Sequence, residues 1–156
     1  AHETTSIPVI AANLHRVIRP DQSQIWAVLR KEDSLTRLQY SMINTLLGRM
    51  CISGDIYDLS EEQWACVDEG VEFYRKAADI IKNGKTVRID CDTESYLNPT
   101  GEQLLIRQWN NRYLAIAHRF AESKEIAEAF LDGAVVLETY GEADKDFSAK
   151  AWIYEK

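Results

Sequence analysis

Cysteine, histidine and proline are scarce in this sequence, at three each among 156 residues. Cys51, Cys66 and Cys91 are odd in number, widely spaced and free of any CxxC pair. That pattern excludes a disulfide framework and a thiolate zinc site, and it reads as three reduced thiols. His2, His15 and His118 lie too far apart in sequence to make a metal motif, so neither a metal nor another cofactor is expected. Positive charge is short as well: 18 basic against 25 acidic side chains give a net charge of −7. The halves on either side of residue 84 carry −3 and −4, so neither is a basic module that could neutralise phosphates, and nucleic acid is not an expected partner. No stretch approaches the roughly 20 apolar residues of a membrane span. The opening Ala-His-Glu-Thr-Thr-Ser lacks the layout of a secretory signal, which with the reduced thiols gives the expectation of a cytoplasmic protein.

What remains is ordinary for a globular chain, with 46% hydrophobic and 28% charged residues. The length suits one domain or two small ones, with a core that needs no staples. The chain starts at Ala1 without Met, and its first dozen residues carry no start signal for helix or strand. The expectation is a chain cut from something longer.

Residues 1–33 are the least regular part, punctuated by Pro8 and Pro20. Ile7 to Ala12 is a short apolar run that suits a buried strand. Gln24 to Leu29 is a second such run, and periodicity does not separate helix from strand in either. From Ser34 the pattern sharpens: Leu35, Leu38, Met42 and Leu46 share a helical face, and Gly48 ends the helix. Arg49 to Ile52, closed by Ser53-Gly54-Asp55, has the shape of a buried parallel strand running into a loop. Ser60-Glu61-Glu62-Gln63 is a capping box, and Trp64, Val67, Val71, Tyr74, Ala78 and Ile81 then keep helical spacing to a stop at Asn83-Gly84. The expected helix runs over 60–82.

Beyond Gly84 the period changes to two. Residues 87–91, 103–109, 112–120, 134–140 and 149–154 are strand candidates, with a turn at Asn98-Pro99-Thr100-Gly101 and a hairpin at Asn110-Asn111. Residues 123–131 suit one short helix. The fold class is therefore α+β: an α–β–α segment over 1–84, then an antiparallel sheet or small sandwich over 85–156.

A polar loop directly after a parallel strand lies where active sites assemble in α/β architectures. Ser53, Gly54 and Asp55 are therefore the candidate substrate-binding residues. Asp55 suits a sugar hydroxyl or the role of a base, and Gly54 permits close approach to the backbone. The plainer alternative is that Asp55 and Asp58 only shape the loop before the Ser60 cap. No catalytic residue is assigned. Glycoside hydrolysis with retention needs two carboxyl groups roughly 5–5.5 Å apart, and Asp55 and Asp58 would have to face each other from a single loop. No histidine has a defined partner for a Ser–His–Asp arrangement. Trp109, Tyr113 and Trp152 could make a stacking platform for sugar, with core packing the plainer role. His118 suits a half-buried strand position.

The run Tyr40-Ser41-Met42-Ile43-Asn44-Thr45-Leu46-Leu47-Gly48-Arg49-Met50-Cys51-Ile52-Ser53-Gly54-Asp55-Ile56, followed by Leu59-Ser60-Glu61-Glu62-Gln63-Trp64 and Glu69-Gly70-Val71-Glu72-Phe73-Tyr74, resembles bacterial α-galactosidases of glycoside hydrolase family 36. Ala115-Ile116-Ala117-His118-Arg119-Phe120 resembles their C-terminal β domain. The resemblance implies that residues 1–84 are the closing α-β-α piece of a (β/α)8 barrel and that 85–156 form an antiparallel β-sandwich domain. It implies a retaining hydrolase of terminal α-galactosides in oligosaccharides. The family's Trp-Asp nucleophile and Ser-Asp acid/base motifs are absent from this sequence. The implied identity is therefore a C-terminal fragment, inactive alone, with a galactoside oligosaccharide as the ligand of the parent enzyme. The alternative is a standalone carbohydrate-binding or interaction module. An excised barrel end would expose the strand at 49–52 and both helix faces, so self-association, a homo-oligomer or cover from residues 1–33 is expected.

Overall fold

The computed structural model describes residues 2–91, 100–119, 121–142 and 147–156. The chain runs α1 (His2–Leu14), β1 (Gln24–Leu29), α2 (Leu35–Thr45), β2 (Arg49–Gly54) and α3 (Glu61–Asn83). It continues through β3 (Lys85–Cys91), β4 (Gln103–Trp109), β5 (Arg112–His118), α4 (Ala121–Phe130), β6 (Val135–Glu142) and β7 (Ala149–Glu155). Two sheets result. β1 and β2 pair in parallel, with Trp26 opposite Cys51 and Val28 opposite Ser53. The other five strands form one antiparallel sheet in the order β3-β4-β5-β7-β6. The fold is α+β.

Local chemistry accounts for the clearest elements. α3 begins with the capping box: the Gln63 N–H donates to Ser60 Oγ at 3.1 Å, and Gln63 Oε1 accepts from the Ser60 N–H at 2.9 Å. The α2 N-cap is Ser34, whose hydroxyl accepts from the Arg37 N–H. β4 and β5 are joined through Asn110-Asn111, with Asn110 at φ +54° and Trp109 paired with Arg112. That conformation favours Asn among non-glycine residues.

Helix α2 lies between the two sheets, whereas α4 covers the far face of the antiparallel one. α2 packs on β1 on one side and on β6 and β7 on the other. Leu38, Tyr40, Ser41, Met42, Ile43, Asn44 and Thr45 are all buried, so the helix is covered nearly all round rather than on the one expected face. The buried face of α3 is Gln63, Cys66, Val67, Gly70, Phe73, Ala77, Ile80 and Ile81, turned from the expected stripe. Gly70 lets Tyr140 approach, since a Cβ there would sit 2.9 Å from its hydroxyl. Tyr140 in turn donates to the Cys66 carbonyl at 2.8 Å. One core therefore takes Leu29, Leu38, Met42, Phe73 and Ile80 together with Leu105, Leu114, Ile116 and Ile153 of the antiparallel sheet. The sheet's other face packs Leu104, Ile106, Ala115 and Trp152 under Ala127 and Leu131.

Three further expectations change. Residues 7–12 are helical rather than a strand, because burial of Pro8, Val9, Ala11 and Ala12 holds α1 together despite the hydrogen bond that Pro8 removes. β2 is only partly buried, with Met50 and Ile52 on one face and Cys51 and Ser53 on the other all half-buried. The layers covering the antiparallel sheet are helices, and among the described residues no second antiparallel sheet lies against it. The turn expected at Asn98–Gly101 and the strand end at Phe120 lie partly outside the described residues. Among the described residues no helix is long and apolar enough to cross a membrane.

Candidate functional site

β1 and β2 end side by side, and the loops that leave them are tied together. Ser53 and Gly54 are the last residues of β2, and Asp55 opens a single 3-10 turn over Ile56–Asp58. The Asp55 N–H donates to the Leu29 carbonyl at 2.8 Å, which continues the parallel ladder one step into the loop. Its carboxylate then crosses to the neighbouring loop, where Oδ2 accepts from the Lys31 N–H at 3.2 Å and Oδ1 faces Arg30 at 3.8 Å. Asp33 closes the same loop by accepting from the Arg30 N–H. Gln63 adds the third tie, since its Nε2 donates to the carbonyls of Lys31 and Asp33, both at 3.0 Å. The capping residue of α3 therefore also fixes the loop before α2.

Gly54 has φ +109°, and a Cβ at this position would collide with the Leu29 backbone. Glycine is needed here for the strand pairing itself. Ser53 points to the open face of the pair, beside Val28. Trp26 and Val28 on this face are 50% and 43% exposed, large values for such side chains in a strand. An apolar groove of about 380 Å3 runs between α1 and β1, lined by Ile7, Ile10, Leu14, Trp26 and Val28. Ser53, Asp55 and Arg30 lie at the C-terminal end of the pair and do not line this groove, whose walls are apolar and aromatic. Carboxylates suit sugar hydroxyls and aromatics suit sugar ring faces, and β1 and β2 carry both kinds of group.

The other sequence candidates do not join this site. Trp109 packs on the α3 side of the antiparallel sheet, whereas Tyr113 and Trp152 pack on the α4 side. A platform built from all three does not form, because odd and even positions of paired strands face opposite ways. His118 is fully buried rather than half-buried. Its Nδ1 donates to Gln103 Oε1 at 2.7 Å, and its ring meets Tyr40 edge-on at 4.8 Å. Burial pushes His118 down to about 3, only partly offset by the Tyr40 backbone. It is a neutral packing residue. Tyr74 pins β2 at its start, donating to the Gly48 carbonyl at 3.0 Å and accepting from the Met50 N–H at 3.2 Å. Burial raises it.

Two polar residues emerge that sequence reasoning missed. Arg107, 4% exposed, donates to the carbonyls of Ile80, Ile81 and Gly84 and to Thr86 Oγ1, capping the C-terminus of α3. Burial lowers it to about 10, against the opposing influence of Asp21. The Thr86 hydroxyl donates a hydrogen bond to His15 Nδ1 at 2.8 Å, and His15 Nε2 donates to the Leu47 carbonyl at 2.6 Å. This chain closes with His15 neutral, and burial brings His15 to about 4. No local signal marks these partners, since His15 and Thr86 are 71 positions apart. Trp26 was missed for another reason: two of the three open positions of β1, Trp26 and Val28, are apolar too, which blurs the alternation.

Compared with protein-family models, the chain matches none, and no curated protein matches it either.

Proposed function

We propose that this chain is the C-terminal part of a retaining α-galactosidase-like glycoside hydrolase acting on terminal α-galactosides in oligosaccharides. In this reading it supplies sugar-contacting groups and not the two catalytic carboxylates. The observation that supports it most directly is the setting of Ser53, Gly54 and Asp55. They end one strand of a parallel pair, beside the end of its neighbour, within the run over 40–74 that resembles the family. β1 and β2 would be consecutive strands of a (β/α)8 barrel within residues 1–84. The open face with Trp26, Val28, Cys51 and Ser53 would turn towards the barrel interior. The sheet over 85–156 would belong to the C-terminal antiparallel β domain, with helices where the expected second layer of a sandwich would lie.

Asp55 has the chemistry for a hydroxyl contact. Oδ2 is engaged by a backbone N–H, while Oδ1 has only the longer ion pair to Arg30 and so has acceptor capacity left for a ligand. Double displacement needs a nucleophile and an acid/base on opposite sides of the scissile bond, and Asp55 alone cannot fill both roles. The chain by itself is therefore expected to leave an aryl α-galactoside intact. Titration of the 15N-labelled chain with melibiose is expected to move amide signals at 26–31 and 51–55. Turnover that disappears in Asp55→Asn would overturn the division of roles. Signals moving at Trp109 or Trp152 instead would favour a standalone carbohydrate-binding module.

A further inference from the structure

A cleft of about 600 Å3 opens where the end of α1, the C-terminus of α3 and the start of β3 meet. Its lining includes Arg16, Arg19, Lys82, Lys85 and Arg107, and no lining residue is acidic. In a chain of net charge −7, this is a local reversal of sign. The usual neutralisation is also incomplete. Arg19 pairs with Asp21 at 2.8 Å, but among the described residues Arg16, Lys82 and Lys85 make no ion pair. Arg16 is held only by Asn13 Oδ1 at 3.2 Å. The negative end of the α3 dipole, which would repel an anion, is occupied by Arg107 on the Ile80, Ile81 and Gly84 carbonyls. Behind the cleft, Arg107 is buried among carbonyls and a hydroxyl with no carboxylate bonded to it. The hydrogen bonds of Arg107 all go to neutral acceptors, and Asp21, already paired with Arg19, is the acidic group that opposes it, so part of its field is directed into the opening.

We propose that this cleft binds a small molecule carrying a phosphate group. Its volume lies within the range of small-molecule sites, roughly 300–1,000 Å3. Lysines held as point charges suit a compact dianion, and Arg16 adds a planar donor on the facing wall. Val17, Ile18 and Pro20 give the same cleft an apolar wall for the non-ionic body of the ligand. The site is separate from the loops at Asp55 and does not depend on the sugar reading.

Inorganic pyrophosphate titrated into the whole chain by calorimetry at low ionic strength tests this. One-to-one saturable binding is expected. It should weaken about tenfold or more in Lys82→Gln/Lys85→Gln and in Arg16→Gln, the loss that about 1.4 kcal/mol represents. All three side chains are exposed, so the melting temperature without ligand should stay put. Arg75→Gln/Lys76→Gln, elsewhere on α3, serves as the control and should bind as the parent does. Absence of saturable heat, binding that is equal in all variants, or an equal loss in the control would overturn the assignment.

Discussion

The central strands β4 and β5 of the antiparallel sheet are covered on both faces, and β1 of the parallel pair on only one. In β4 and β5 consecutive residues are buried whichever way they point, as Leu104, Leu105 and Ile106 show with no exposure at all. In β1 burial alternates strictly, with Ile25, Ala27 and Leu29 against α2 and Gln24, Trp26 and Val28 open. Both strands are nonetheless apolar in composition. The difference teaches that an apolar strand reports a demand for cover and not whether the chain itself supplies it. Where the demand is unmet, as at Trp26 and Val28, the surface is available for a ligand or another protein layer. That is also where the Asp55 loop sits.

The largest test of this contrast is a pair of truncations. Ile116 is fully buried between the helices and the sheet, so Ile116→Ala is expected to cost about 2–5 kcal/mol in urea unfolding. Val28→Ala removes similar methyl groups from the open face and should stay within about 0.5 kcal/mol. Equal costs would break the comparison, because they would mean that the open face is covered in solution by another copy of the chain. Concentration-dependent unfolding of the parent would then identify self-association as the cover.

Acid should act on the covered part and spare the open pair. His15 and His118 are held neutral by burial, at about 4 and about 3, and residues 24–54 contain no histidine. In the unfolded chain each takes up a proton near pH 6.5, whereas the folded chain does not until its lowered value is reached. Stability is therefore unaffected by these groups above about pH 6.5 and falls as pH drops from there towards 4 and 3. Each histidine removes about 1.4 kcal/mol per pH unit within that window. Urea midpoints between pH 7.5 and 4.5 measure the slope, and His118→Gln should reduce it by one histidine's share. An unchanged slope would show that His118 is not held neutral.

Much of this was legible where the determining interactions are local. The α3 capping box joins residues three apart, the Asn110-Asn111 hairpin needs only its own backbone conformation, and a loop after a strand pointed to Ser53, Gly54 and Asp55. The α1 helix was not legible, because Pro8 sends a local signal that burial of Ala11 and Ala12 overrides. Nor was the Arg107 cap, since guanidinium and helix end are brought together only by docking α3 on β4. The position of Asp55 could be read from the sequence. Its tie to the Lys31 backbone, which makes it an organiser of two loops, could not.

The smallest expected effect bears most directly on the site. Asn in place of Asp55 keeps an oxygen for the Lys31 N–H and loses the charge facing Arg30, a partly exposed pair at 3.8 Å. Pairs of that kind contribute about 0.2–1 kcal/mol, so Asp55→Asn should unfold within about 1 kcal/mol of the parent. Asp55→Ala also leaves the Lys31 N–H without its acceptor and should cost more. A larger loss in Asp55→Asn would mean that the charge itself holds the two loops together, which would make Asp55 a structural residue of the open pair. A small loss separates folding from ligand contact. Any change in melibiose titration of that variant then reports the carboxylate's contact with sugar rather than a disturbed loop.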